Sequence, residues 1–187
     1  MSQSIRIVPY RPGWPETYRA LAERIAPLMP PGSSLHHIGS TAVPGLAAKD
    51  VIDLQLSVER LDHQLVGAFT AAGFTHKPGR TDHAPAGRTT GPEDCAKLYF
   101  TLTAPEAHLH VRERGRYNQR YALLFRDYLR ADIAAVAAYG AAKQALALAV
   151  GGDRDRYYAV KDPLCDAIIA AAELWARTTG WEEPQPD

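Results

Sequence analysis

His37-Ile-Gly-Ser-Thr-Ala-Val-Pro-Gly-Leu-Ala-Ala-Lys-Asp-Val-Ile-Asp53 reads as a short strand that ends in a loop of small residues, followed by a second strand that presents an acid. From Ile52 to Val58 apolar and polar residues alternate, the period of a strand with one face buried, so Asp53, Gln55 and Ser57 share the other face. Each part of the stretch has a chemical use. Gly39 carries no side chain, so a phosphate can approach the main chain, and the amides and hydroxyls of Ser40 and Thr41 can donate to its oxygens. Lys49 adds a point charge. Asp53 can hold a Mg2+ ion that bridges phosphates, because hard cations prefer carboxylate oxygens. Taken alone, Gly-Ser-Thr is an ordinary turn and an isolated Asp or Lys is a solvated surface residue, so the weight lies in the whole arrangement.

Before this stretch, a short extended start at Ile5 to Tyr10 leads to Pro-Gly-Trp-Pro punctuation and then to Trp14, Tyr18, Leu21, Ile25 and Leu28, which fall on one face of a helix. Pro30, Pro31 and Gly32 stop that helix, and Leu35 to Ile38 reads as a strand. After Val58 comes a helix with Leu61, Leu65, Phe69 and Ala72 inward and Gly73 as its C-terminal cap. Residues 77–94 are polar and rich in Gly, Pro, Thr and His, a long loop of the kind that is either functional or disordered. Ala96 to Leu102 and His108 to Arg112 read as strands. The remainder is helical over Tyr117 to Arg130, Ile133 to Val150 and Pro163 to Thr178, with Asp162 as the N-cap of the last. The expected architecture is α+β: a small mixed sheet flanked by helices, in one domain with a sheet-containing part up to about residue 115 and a helical part up to about residue 180.

With 187 residues and 46% hydrophobic content, the chain can bury one sizeable core. Lys plus Arg and Asp plus Glu both number 21, so no global positive field exists to hold a polyanion, and nucleic acid is not an expected partner. Apolar runs fall far short of the roughly 20 residues that cross a bilayer, so no membrane partner is expected either. The first residues lack the apolar core of a secretory signal, which makes the cytoplasm the expected compartment. Cys95 and Cys165 are too few for a disulfide framework or a thiolate metal cage.

His108 and His110 are two apart on a strand, so their side chains share a face and can converge on one ligand; the plainer alternative is a hydrogen-bonded sheet edge. His36 and His37 point to opposite faces, so at most one faces the site. On the C-terminal helices, Arg126 and Arg130 lie one turn apart and can fork a phosphate or carboxylate, and Lys143 and Lys161 add charge. The plainer reading of all four is a solvated face.

The segment His37 to Lys49, followed by Ile52-Asp53, closely resembles the signature of the GrpB family. His108-Leu-His-Val111 resembles a second signature, and Leu124 to Arg130 with Tyr139, Lys143, Tyr157 and Lys161 resembles a third, so the likeness runs from about Ile7 to about Trp175. The resemblance implies the nucleotidyltransferase superfamily, in which a Gly-Ser loop grips a triphosphate and carboxylates on the following strand hold divalent metal. Ser40 and Asp53 match those positions. Where active members carry a second carboxylate this chain has Gln55, a weaker metal ligand that adds no charge. The resemblance therefore implies a nucleoside triphosphate and Mg2+ or Mn2+, with Asp53 and Gln55 at the metal, Asp53, His108 and His110 at the chemistry, and Gly39, Ser40, Thr41, Lys49, Arg126, Arg130, Lys143 and Lys161 on the phosphates. Three readings stay open: an enzyme that transfers a nucleotidyl or related group to a small acceptor, a nucleotide- or metabolite-binding module without transfer chemistry, and a nucleotide-activated ligase of a carboxylate and an amine.

Overall fold

A computed structural model describes residues 5–187; the first four residues, part of the start read above as lacking a secretory signal, lie outside it. The elements run in the order α1 (Trp14–Ile25), β1 (Ser34–Ile38), β2 (Ile52–Val58), α2 (Gln64–Ala71), β3 (Thr75–His76), β4 (Leu98–Thr103), β5 (Glu106–Glu113), α3 (Tyr117–Ala131), α4 (Ile133–Ala149) and α5 (Arg154–Thr179). The sheet has the order β1-β2-β5-β4-β3, with β2 and β5 parallel and every other pair antiparallel. The α+β class read from the sequence is the architecture found, with a five-stranded mixed sheet, flanking helices and a helical C-terminal part.

The two faces of the sheet are chemically unlike. On one, Leu54, Leu56, Phe100, Leu109 and Val111 pack against Trp14, Tyr18, Leu21 and Ile25 of α1 and Leu65 and Phe69 of α2. Fully burying each such Leu or Phe contributes about 1.5–3 kcal/mol, so this side is the main core. The other face carries Asp53, Gln55 and Ser57 from β2 beside His108, His110 and Arg112 from β5. The start of α3 closes over part of it: Gln55 Nε2 donates to Gln119 O at 3.0 Å, and Gln119 Nε2 donates to Ser57 Oγ at 3.3 Å. Satisfied in this way, Gln55 and Ser57 are buried despite their polarity.

Helices α3, α4 and α5 bury a second group of side chains against the loop after β1, with Val43 and Leu46 meeting Leu129, Tyr139 and Cys165. Asp132 caps α4 by accepting from the amides of Ala134 and Ala135, both at 3.0 Å. The last helix departs from expectation. It begins at Arg154, capped by Asp153, and Pro163 lies inside it rather than in its first turn. A proline there costs one helical hydrogen bond, but the burial of Tyr157, Cys165, Ile169, Ala172 and Ala176 along a single face keeps the helix continuous. Asp162 pairs with Lys161 at 3.0 Å instead of capping. The 77–94 loop follows β3, a two-residue edge strand not read from the sequence, and is fastened at Asp82 and again where His83 and the amide of Ala86 meet Asp166 at 2.8 and 3.0 Å. Among the described residues no helix is long and apolar enough to cross a membrane.

Candidate functional site

The parallel register of β2 and β5 sets Asp53 beside His108 and Gln55 beside His110. Asp53 Oδ1 lies 3.2 Å from His108 Nδ1 and 3.7 Å from His110 Nε2. All three candidate ligand atoms fall within 4.8 Å of one another, close enough for one cation to reach each. Burial alone would raise the Asp53 carboxyl, but hydrogen bonds from His108 and His110 hold it well below the usual range. Burial, reinforced by the neighbouring Arg112 guanidinium, pushes His110 down to about 4, so its imidazole is neutral at physiological pH.

Gly39 brings the loop after β1 to this acid. Its φ is 71°, and a Cβ built on it would stand 2.6 Å from Asp53 Oδ2, so both the backbone conformation and the contact require glycine. The next residue, Ser40, accepts a hydrogen bond at 2.7 Å from Lys143 Nζ of α4. Burial, with the charges of Lys161 and Lys49, pushes Lys143 down to about 7. Lys49 Nζ donates to Tyr158 Oη at 2.6 Å, and the ammonium groups of Lys49 and Lys161 stand 5.1 and 5.5 Å from the Tyr158 ring. The fold thus brings Lys143 to Ser40 and gathers Lys49 and Lys161 at Tyr158, near enough for their charges to act on Lys143.

Other expected site residues are placed differently. The Thr41 hydroxyl is buried, donating to Val51 O at 3.2 Å and meeting His37 Nε2 at 3.0 Å, so it braces the loop. His37 stacks on Tyr18 with ring centroids 4.8 Å apart, on the core side of the sheet. His36 takes the other face and is fully buried, its ring nitrogens finding no protein partner among the described residues. Gln55 Oε1 accepts from Arg112 Nη1 at 2.5 Å, and its amide nitrogen is committed to Gln119 and Ser57. Both ends of the Gln55 amide are thus engaged by protein partners, so a cation beside Asp53 would share its oxygen with Arg112. Arg126 and Arg130 do not reach the Ser40–Lys143 pair. Arg126 donates to His37 O and Asp187 Oδ2, and Arg130 to Ala42 O.

Asp82 was missed by sequence reasoning. It accepts from Arg112 Nε at 2.8 Å and Nη2 at 3.0 Å, from Lys97 Nζ at 2.5 Å and from Asn118 Nδ2 at 3.0 Å. Burial would raise its carboxyl, but the Arg112 charge and hydrogen bonds hold it far below the usual range. Its only signal in the sequence is an acid within a Gly- and Pro-rich loop. Lys97 Nζ and Arg112 Nη2 also approach His110 Nδ1 at 3.3 and 3.2 Å. With two cationic donors there, Nδ1 is the acceptor and Nε2 carries the proton, facing Asp53.

The chain is 36% identical over 205 residues to a dephospho-CoA kinase of Mycolicibacterium paratuberculosis, an alignment that takes in 95% of this chain and 48% of that one. It thus spans about half the length of the dephospho-CoA kinases it matches. It is 34% identical over 163 residues to a UPF0157 protein of Streptomyces coelicolor, covering 86% of this chain and 78% of the relative. Among solved structures, the conserved protein GrpB from Enterococcus faecalis superposes with a TM-score of 0.73 at 26% identity, over 91% of this chain and 99% of that one. The family model described as GrpB protein matches residues 4–171, and the chain belongs to the GrpB family.

Proposed function

We propose that this protein binds a nucleoside phosphate together with a divalent cation and transfers a nucleotidyl or related group to a small acceptor, as nucleotidyltransferase-superfamily enzymes do. One observation carries the reading: the Gly39 backbone lies against the Asp53 carboxylate, so the cation-binding acid and the Ser40–Lys143 pair belong to one site. The residues fit a cation held by Asp53 and His108 Nδ1, its remaining positions open to phosphate oxygens. When bound, that cation would neutralise charge on the phosphates and orient them. A nitrogen ligand favours Mn2+ over Mg2+. His110, with its proton on Nε2, donates toward Asp53 and fixes that side chain. Lys49 and Lys161 supply positive charge for phosphoryl oxygens, and Lys143, held near 7, would be drawn to its protonated form by a phosphate beside it. The kinase name of the mycobacterial relatives is in keeping with a nucleotide partner.

A binding module without transfer chemistry is the second reading, favoured by Gln55. With its oxygen held by Arg112, the second metal-binding carboxylate of two-metal transfer has no counterpart here. Thermal-shift titration with nucleoside triphosphates, with and without Mg2+ or Mn2+, tests both readings, because a ligand that binds only the folded state raises its melting temperature. The expected result is stabilisation that is larger with Mn2+, loses its metal dependence in Asp53→Ala, and disappears in Lys143→Met. Mass spectrometry of the nucleotide after incubation with candidate acceptors separates transfer from binding. Equal nucleotide stabilisation of Asp53→Ala, Lys143→Met and the unaltered protein would exclude the site.

A further inference from the structure

Beside the loop that carries Ser40, a cleft of about 800 Å³ opens between α1, the 42–45 segment and the α3–α4 corner. Its walls are mostly apolar, formed by Tyr10, Tyr18, Pro44, Leu129, Ile133 and Val136, and Ile133 is 87% exposed although it is a large hydrophobic residue. At one end sits a carboxylate. Asp187 Oδ2 accepts from Arg126 Nη1 at 2.6 Å and from the backbone amide of His37 at 2.9 Å, while Oδ1 lies 3.7 Å from Arg130 Nη1. Arg126 is 1% exposed and is fixed in place by Asp127 at 2.7 Å and by His37 O at 2.9 Å, so the guanidinium is aimed by the fold and not by Asp187 alone. Asp127 supplies Arg126 with one anionic partner through Nε, and Nη1 is left to donate to a second acid.

Asp187 reaches that position because residues 181–187 fold back across the polar side of the molecule. Trp181 Nε1 donates to Asp127 Oδ2 at 3.0 Å, its ring lies under Arg120 with the guanidinium carbon 5.3 Å from the ring centroid, and Glu183 accepts from Gln119 Nε2 at 3.0 Å. Trp181 also packs against the Leu124, Ile169, Ala172 and Ala176 cluster, whereas Glu183 and Asp187 are held by polar contacts, so the stretch beyond Trp181 can be displaced without opening the main core.

We propose that Arg126, Arg130 and the His37 amide form the carboxylate seat of a binding site for a small carboxylic acid with an apolar or aromatic body, and that Asp187 occupies the seat as a displaceable internal stand-in. The acid head takes the place of the Asp187 side chain, and the body lies in the cleft against Tyr18, Leu129 and Val136. Buried arginine forks pair with planar carboxylates and the walls exclude a hydrated ligand, so the class is a monocarboxylate and not an inorganic anion. The inference does not rest on the metal and phosphate reading, since none of its residues touches Asp53 or Lys143.

Phenylacetate is the probe, titrated by calorimetry into the full chain and into Asp187→Asn, with phenylacetamide and phenyl phosphate as comparison ligands. A tethered competitor acts at a millimolar effective concentration, so its removal should tighten phenylacetate binding about tenfold or more, and Asp187→Asn combined with Arg130→Gln should reverse that gain. Phenylacetamide should bind neither protein. Equal affinity of phenylacetate for the unaltered chain and Asp187→Asn, binding of phenylacetamide, or preference for phenyl phosphate overturns the proposal. In the unaltered chain, displacement should also shift Trp181 emission to the red, a signal that Trp181→Phe removes. Saturation with phenylacetate and no such shift likewise refutes displacement, even if Asp187→Asn fails to fold.

Discussion

At Gly39 two constraints fall on one residue. The positive φ disfavours any side chain, and the Asp53 carboxylate occupies the space a Cβ would need. Gly45 shares the first constraint, with φ 79°, but nothing stands within 4 Å of its Cβ position. Alanine at either position should therefore cost about 1–2 kcal/mol of strain and lower the melting temperature by several degrees. Only Gly39→Ala should also remove the metal dependence of nucleotide stabilisation, because only there must the acid move. A thermal-shift comparison of the two variants checks this, and equal metal responses would contradict the proximity argument. At the same scale, Lys143 shows what the sequence did and did not convey. A lysine on a helix reads as solvated, and its burial against Tyr139, 4.4 Å from the ring centroid, depends on α4 packing on a loop about a hundred residues earlier in the chain.

Among the elements, β2 and β5 were legible because their period-two patterns place Asp53 and Gln55, or His108 and His110, on one face. Their adjacency was not, since no local pattern states which strands pair or in which direction. For the same reason Arg126 and Arg130 were recognised as a fork while their partner, Asp187, was out of view. Pro163 misled because proline usually marks a helix start, and tertiary burial of the surrounding face overrode that preference. The 77–94 loop had a polar composition that concealed its anchor. Asp82 stands between Lys97 and Arg112, so Asp82→Asn leaves two buried cations without their counter-charge, a change expected to cost about 3–5 kcal/mol. Hydrogen exchange should then rise first in residues 77–94, with the core of β2 and β5 less affected; unchanged protection in that loop would show that His83 and Ala86 alone secure it.

For the molecule as a whole, the buried histidines set the response to acid. Burial pushes both His37 and His110 down to about 4, against an ordinary value of 6.5. The unfolded chain therefore takes up protons near 6.5 that the folded chain refuses until about 4. Stability is full above 6.5 and is lost as pH falls through that window, by up to about 1.4 kcal/mol per pH unit for each group. The melting temperature should drop by about 5 °C or more between pH 7 and pH 5, measured by circular dichroism. A flat profile would mean that one or both rings are solvated. The same burial was only half visible beforehand: alternation assigned His36 and His37 to opposite faces, but nothing local announced that helices would cover both.

Strand β5 lies in the middle of the sheet although it is the last of the five to be synthesised. A nascent chain that ends before His108 holds β1 and β2 without the β5 edge, and the acid at 53 lacks both imidazoles. β5 forms a local hairpin with β4, and docking that hairpin on β2 requires loop closure over some fifty residues, the slower step of the two. Any cation affinity at Asp53 that depends on His108 should hence appear only once that docking is complete, which would make metal uptake a reporter of finished folding.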